Sequence, residues 1–214
     1  MDEVLITKSC AEFSNLLASR ASVPGGGGAA ALVGALGAAL CSMAGNLTLG
    51  RKKYAAQEPD IRRMLADGEK IRQRLLELVD EDAKAFEPLS RAYSIPKTEQ
   101  DRESVLEEAT LAACRAPLEM MEQTSKAVEL LEEMLEKGST MLVSDVGCGA
   151  ACCRCALESA SLNVFINTKT MKNREKADWL NGRAEELLVT FLPRAQRIVL
   201  EVTTQLYPER GASC

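Results

Sequence analysis

Between Arg20 and Arg51 the chain carries no charged side chain. The segment "PGGGGAAALVGALGAALCSMAGNLTLGRKKY", from Pro24 to Tyr54, opens on four glycines, continues as small apolar residues and ends in a basic run. A stretch this long and this apolar has three outlets: a membrane span, a phosphate-binding loop, or a helix buried on most sides in a helical fold. The phosphate loop is the weakest, because no strand precedes the glycines and neither GxGxxG nor GxxxxGK[ST] is matched. A membrane span gains from the basic flank Arg51–Lys53. It loses from its glycines, from Ser42, Asn46 and Thr48, and from a remainder that offers no second span. Composition therefore favours a buried central helix over residues 26–50, whose bare first-turn N–H groups let an anionic or carbonyl-bearing ligand come close.

The rest of the chain follows a helical period. Ser9 and Glu12 form a capping box, and Cys10, Phe13, Leu16 and Leu17 give a first helix one apolar face before Pro24. A long helix is predicted from Pro59 to about Arg91, followed by a loop with Pro96 and Lys97. Residues 98–137 form helix, bent or broken at Pro117 and stopped at Gly138. Further helices cover 144–168 and about 174–206, the last with Trp179, Leu187, Phe191, Ile198 and Val202 inward. Alternating segments and hairpin dipeptides are lacking. The expectation is a single all-α domain over residues 1–214, a multi-helix bundle around the Gly/Ala-rich helix.

Charge narrows the function. With 26 Lys and Arg against 31 Asp and Glu the net charge is −5, and aromatics are 4%. Neither a broad basic face nor a base-stacking platform is available, so nucleic acid is not the expected partner. The start "MDEVLITKSCAEF" lacks the basic and apolar regions of a secretory signal, so the 8 cysteines are expected as free thiols in the cytoplasm. The sequence contains no histidine. Acid–base chemistry must fall to carboxylates, Lys, Tyr or Cys.

One carboxylate stands out. The long helix carries an apolar seam through Ile61, Gly68, Leu75, position 82 and Leu89, with Met64, Leu65, Ile71, Leu78, Val79 and Phe86 between. Position 82 is Asp. A carboxyl on such a seam is disfavoured unless paired, and burial raises its pKa. It is either a proton donor and acceptor or a structural cap or ion-pair partner; Asp80 and Glu81 fall off the seam toward solvent. In "SDVGCGAACCRCALESASLNVFIN", Ser144 and Asp145 stand at a helix start, and Asn163 and Asn167 share a face. They are caps and packing groups, or a hydrogen-bonding wall for a polar heterocycle. Cys148, Cys152 and Cys155 share a face with Cys153 turned away; without His or CxxC spacing, small buried thiols are preferred to a metal site.

Taken in order, "PGGGGAAALVGALGAAL", "NLTLGRKKY", "LVDEDAKAF", "IPK", "APLEM", "SDVG" and "LNVFIN" resemble the cyclodeaminase/cyclohydrolase family of folate enzymes. The resemblance runs from about residue 5 to beyond residue 168. It implies an all-helical, metal-free homodimer that needs no cofactor beyond its tetrahydrofolate substrate, and no membrane. It implies methenyltetrahydrofolate cyclohydrolase activity or formimidoyltetrahydrofolate cyclodeaminase activity; the lack of a fused formiminotransferase domain favours the first. A non-catalytic helical scaffold is the reading from another class. By the resemblance Asp82 is the catalytic proton donor. Pro24, Gly25, Gly26, Gly27, the run Arg51, Lys52 and Lys53, and Asp145 match the folate-binding segments. Asn163 joins Asp145 for the pterin edge, and Lys97 joins the basic run for the glutamate tail. The family's usual serine after the third glycine is replaced by Gly28.

Overall fold

The computed structural model describes residues 4–208, and its regular structure is helical throughout. Seven α-helices follow in chain order: α1 (Cys10–Leu17), α2 (Gly26–Thr48), α3 (Glu58–Tyr93), α4 (Arg102–Ala113), α5 (Arg115–Lys137), α6 (Val143–Thr168) and α7 (Arg174–Leu206). Short 3-10 turns at Leu5–Thr7, Lys52–Gln57 and Thr140–Leu142 join them. The Ser9–Glu12 capping box is present in both directions.

The charge-free segment is the central helix. Around α2 stand α3 and α6, both antiparallel to it, and α5, parallel to it: Gly27 meets Asp82 and Gly45 meets Leu65, Gly26 meets Asn163 and Gly37 meets Gly149, Gly34 meets Thr124 and Gly45 meets Met134. Three neighbours fit about one helix only because its side chains are small. A Cβ on Gly37 would lie 2.6 Å from Cys153 Sγ and 3.0 Å from the Gly149 carbonyl, so α2 and α6 touch backbone to backbone there. The core is completed by larger residues of the surrounding helices, among them Leu75, Leu78, Met120, Met121, Leu131, Leu157 and Ile198.

Membrane-span length and composition are met by two described segments, Gly26–Thr48 and Thr140–Thr168. The second corrects the expectation of a lone candidate: small Ala, Gly and Cys residues make α6 apolar without bulk. More than half of the apolar window in α2 is buried inside the bundle.

The break predicted at Pro117 falls at Cys114, between α4 and α5. Proline takes the third position of α5, where its missing N–H leaves the Ala113 carbonyl without an intrahelical donor. Asn167 Nδ2 of α6 supplies that hydrogen bond at 3.3 Å. Trp179 is exposed rather than inward, because the buried line of α7 runs through Ala177, Leu180, Ala184 and Leu187. Phe86 is 38% exposed: it lies one turn beyond the contact with the start of α2 and lines an open depression with Leu5, Leu16 and Val23. The thiols divide otherwise than expected. Cys41, Cys114 and Cys153 are buried, Cys152 is half-buried, and Cys148 and Cys155 lie exposed on α6.

Candidate active site

The first turn of any helix leaves backbone N–H groups without intrahelical acceptors. In α2 the N-cap is Gly25, which offers no side chain. The acceptor comes from α3 instead. One turn beyond Leu78 and Val79, the Asp82 carboxylate lies across the start of α2 and accepts a hydrogen bond from the Gly28 N–H. It sits where a side chain on Gly27 would be, so glycine there is a steric condition of the contact.

Asp82 is half-buried, and burial pushes its carboxyl up to about 6 against the opposing pull of the Gly28 N–H. No cation takes part in that balance. Its neighbours on α3 have other duties: Asp80 accepts the Leu5 backbone N–H at 2.6 Å, and Glu81 pairs with Arg74 at 2.6 Å. Glu81 is exposed, as its place off the seam predicts, whereas Asp80 ties the N-terminal segment to α3.

On the far side of the α2 terminus stands Asn163 of α6. Its Nδ2 donates to the Ser159 carbonyl at 2.8 Å, and its amide lies within 3.5 Å of where a Gly26 side chain would be. The amide lines a depression of about 510 Å³ with Gly26, Ala30, Val33, Leu162 and Ile166. Asn167, four residues on, is held by its bond to Ala113 and belongs to the helix break. Asp82, the turn from Pro24 to Gly28, and Asn163 thus form one cluster.

The remaining candidates lie elsewhere. Arg51 donates to Ser139 Oγ at 3.2 Å, and the Lys53 ammonium stands 5.3 Å from the Tyr54 ring centroid. Asp145 lies in the first turn of α6 at this same end and makes no side-chain cap. A 23-residue helix separates the two clusters, and at 1.5 Å per residue that is about 35 Å. Within one chain the basic run and Asp145 therefore stand apart from Asp82. Lys97 is exposed in the loop beyond the end of α3.

The second cluster holds a group that sequence reasoning left unassigned. The Tyr54 hydroxyl accepts the Thr140 N–H at 3.1 Å and faces Thr140 Oγ1 at 3.5 Å. These bonds and Ser139 pull its pKa down to about 7. The tyrosine closes the "RKKY" motif, the only signal that could have marked it. Among the described residues, no group of three or more His, Cys, Asp or Glu is placed to hold a metal ion.

Residues 9–186 match the family model described as formiminotransferase-cyclodeaminase, and the chain belongs to that family. Its similarity extends to individual proteins. It is 38% identical over 198 residues to the methenyltetrahydrofolate cyclohydrolase of Methylorubrum extorquens, covering 91% of this chain and 95% of that protein. It is 34% identical over 191 residues to the formimidoyltransferase-cyclodeaminase of Rattus norvegicus, with 87% of this chain aligned but only 35% of that longer protein. A solved structure of formiminotetrahydrofolate cyclodeaminase from Thermotoga maritima superposes with a TM-score of 0.80 at 27% identity, over 92% of this chain and 98% of that one.

Proposed function

We propose that this chain is a folate enzyme that hydrolyses the 5,10-methenyl bridge of tetrahydrofolate to 10-formyltetrahydrofolate. The observation that carries this reading is Asp82: a half-buried carboxyl near 6, free of any cation, against a helix start bared by glycine. The methenyl bridge is a cationic electrophile, so a carboxylate beside it stabilises the bound substrate and its transition state electrostatically. As water oxygen bonds to the bridge carbon, Asp82 takes a water proton. It then protonates nitrogen 5 as the carbon–nitrogen 5 bond breaks, while the hydroxyl on that carbon releases its proton to solvent water to form the formyl group. A carboxyl near 6 is about one-tenth protonated at pH 7, so it can both give and accept.

Within this reading Asn163 hydrogen-bonds the pterin edge, the turn Pro24–Gly27 lets the ring approach backbone, and Lys97 contributes to holding the tail. The substrate is the sole folate involved, with no separate cofactor or metal. The enzyme acts as a homodimer in the cytoplasm, apart from membranes and nucleic acid; the acidic net charge and the free described thiols support that setting.

The likeness to the Thermotoga maritima cyclodeaminase favours a second reaction at the same site, attack of nitrogen 10 on a formimino carbon with loss of ammonia. Offering methenyl- and formimidoyl-tetrahydrofolate in parallel, and following the methenyl chromophore together with ammonia, tests both. Consumption of the methenyl compound is the expected result. A protein that consumes neither substrate and gains no melting temperature from folate is a scaffold, and the proposal fails.

A further inference from the structure

On α3, Asp80 and Lys84 stand four residues apart, acid before base. In that order a helix ordinarily pairs opposite charges, since their Cβ atoms are only about 5–6 Å apart. Here the two do not pair. Asp80 Oδ1 is turned to the Leu5 N–H at 2.6 Å, and only that oxygen of the carboxylate is engaged among the described residues. Lys84 forms no ion pair or side-chain hydrogen bond among them. One carboxylate oxygen and one ammonium thus stand a helical turn apart, each without a partner of opposite charge.

Both groups line a depression of about 470 Å³ between α3, the N-terminal turn, α1 and the approach to Pro24. That volume lies within the roughly 300–1,000 Å³ of small-molecule sites. Its apolar walls are Leu5, Leu16, Val23 and Phe86, and the small side chain of Ala83 leaves it depth on the α3 side. The other two charged residues that line it, Glu87 and Arg91, are paired with each other. Asp82 and Gly27 take no part in the lining, so the depression is separate from the site assigned to folate.

We propose that this depression binds a free α-amino acid with a large apolar side chain. Its ammonium donates to Asp80 Oδ2, its carboxylate accepts from the Lys84 ammonium, and its side chain enters among Leu5, Leu16, Val23 and Phe86. An α-amino acid carries both charges on one carbon, which suits two opposite groups converging from adjacent turns. A simple carboxylate would leave the Asp80 oxygen facing it, and a simple amine would leave Lys84 unpaired. The zwitterion alone meets both. Bound there, it bridges α3 to Val23 and to the Leu5 turn, which Asp80 already holds.

Isothermal titration calorimetry with L-phenylalanine, in the absence of folate, tests this. Saturable binding of one molecule per chain is the expected result. N-acetyl-L-phenylalanine lacks the ammonium, L-phenylalaninamide lacks the carboxylate and L-alanine lacks the apolar bulk. Each should bind at least about tenfold more weakly, the scale of one lost charge-assisted hydrogen bond. Lys84→Gln should weaken L-phenylalanine by a similar factor, and Ala83→Phe should abolish binding by filling the depression, with helical circular dichroism as the folding control. Lys84 is exposed, so Lys84→Gln decides the matter even where the larger substitution disturbs the fold. No heat with L-phenylalanine, equal affinity for the two capped forms, or unchanged binding in Lys84→Gln overturns the proposal. Because binding is read without folate, each of these failures leaves the reading of Asp82 untouched.

Discussion

The carboxylate of Asp82 occupies the place of the side chain that Gly27 does not have: a Cβ on Gly27 would lie 2.4 Å from Oδ1 and 2.5 Å from Oδ2. A residue on α3 and one at the start of α2 therefore fix each other. Gly27→Ala must expel the carboxylate from the helix terminus, breaking its bond with the Gly28 N–H and moving it toward solvent. Activity should fall by about a hundredfold, the scale of losing a positioned acid–base group. At Gly25, where an added Cβ meets nothing within 4 Å, the same substitution should retain most activity. Steady-state rates of the two variants, with circular dichroism as a folding control, make the comparison; equal losses would break the proposed link between Gly27 and Asp82.

Asp82→Asn separates catalysis from stability. The variant should bind folate yet lose at least about a hundredfold in turnover. Stability should move the other way. Burial holds the folded carboxyl near 6, above the roughly 3.9 of an ordinary aspartate, so between about pH 4 and pH 6 the folded state binds more protons than the unfolded one. Wild-type stability therefore falls as pH rises through that window, by on the order of 1–2 kcal/mol after allowance for the partial exposure of the group. Asparagine lacks this loss. Urea unfolding at pH 4 and pH 7.5 should show the variant gaining on wild type at the higher pH; a constant difference would mean that Asp82 titrates as an ordinary carboxylate.

Much of this arrangement could be read from residues alone. The capping box at Ser9, the buried α2 and the seam position of Asp82 all follow from local spacing. Spacing along one helix carries no measure of where a second helix stops. It therefore missed that Phe86 lies beyond the start of α2 and lines an open depression, and that Asp80 is taken by the Leu5 backbone. The larger miss, the separation of Arg51 and Asp145 from Asp82, has the same origin. The glycine turn and the basic run bound one segment of sequence, but the 23-residue helix between them holds them apart.

Asn163 and Asn167 lie four apart on α6 and should respond differently to alanine. Asn167 satisfies the Ala113 carbonyl that Pro117 leaves without a helical donor. Removing its amide should cost about 1 kcal/mol in unfolding free energy with kcat and KM near wild type. Asn163→Ala should leave stability almost unchanged, since its donor bond returns only to Ser159 on its own helix, and should raise KM. Reversal of this pattern would transfer the pterin contact from Asn163 to Asn167.

The α2–α6 contact can be probed at Gly37, where helix propensity and packing oppose each other. Alanine is favoured over glycine within a helix by about 1 kcal/mol. The added Cβ, however, would stand 2.6 Å from Cys153 Sγ and 3.0 Å from the Gly149 carbonyl. The sulfur belongs to a fully buried residue and the oxygen to backbone, so neither moves without shifting a helix. Overpacking of about 1–3 kcal/mol should therefore outweigh propensity and leave Gly37→Ala less stable by up to about 2 kcal/mol. Cys153→Ala removes the nearer obstacle while leaving a small cavity. In the double variant the new methyl partly fills that space, and the two losses should not add. Urea unfolding of all four proteins closes the cycle. Strict additivity would show that the Gly149 backbone, not Cys153, sets the distance between the two helices.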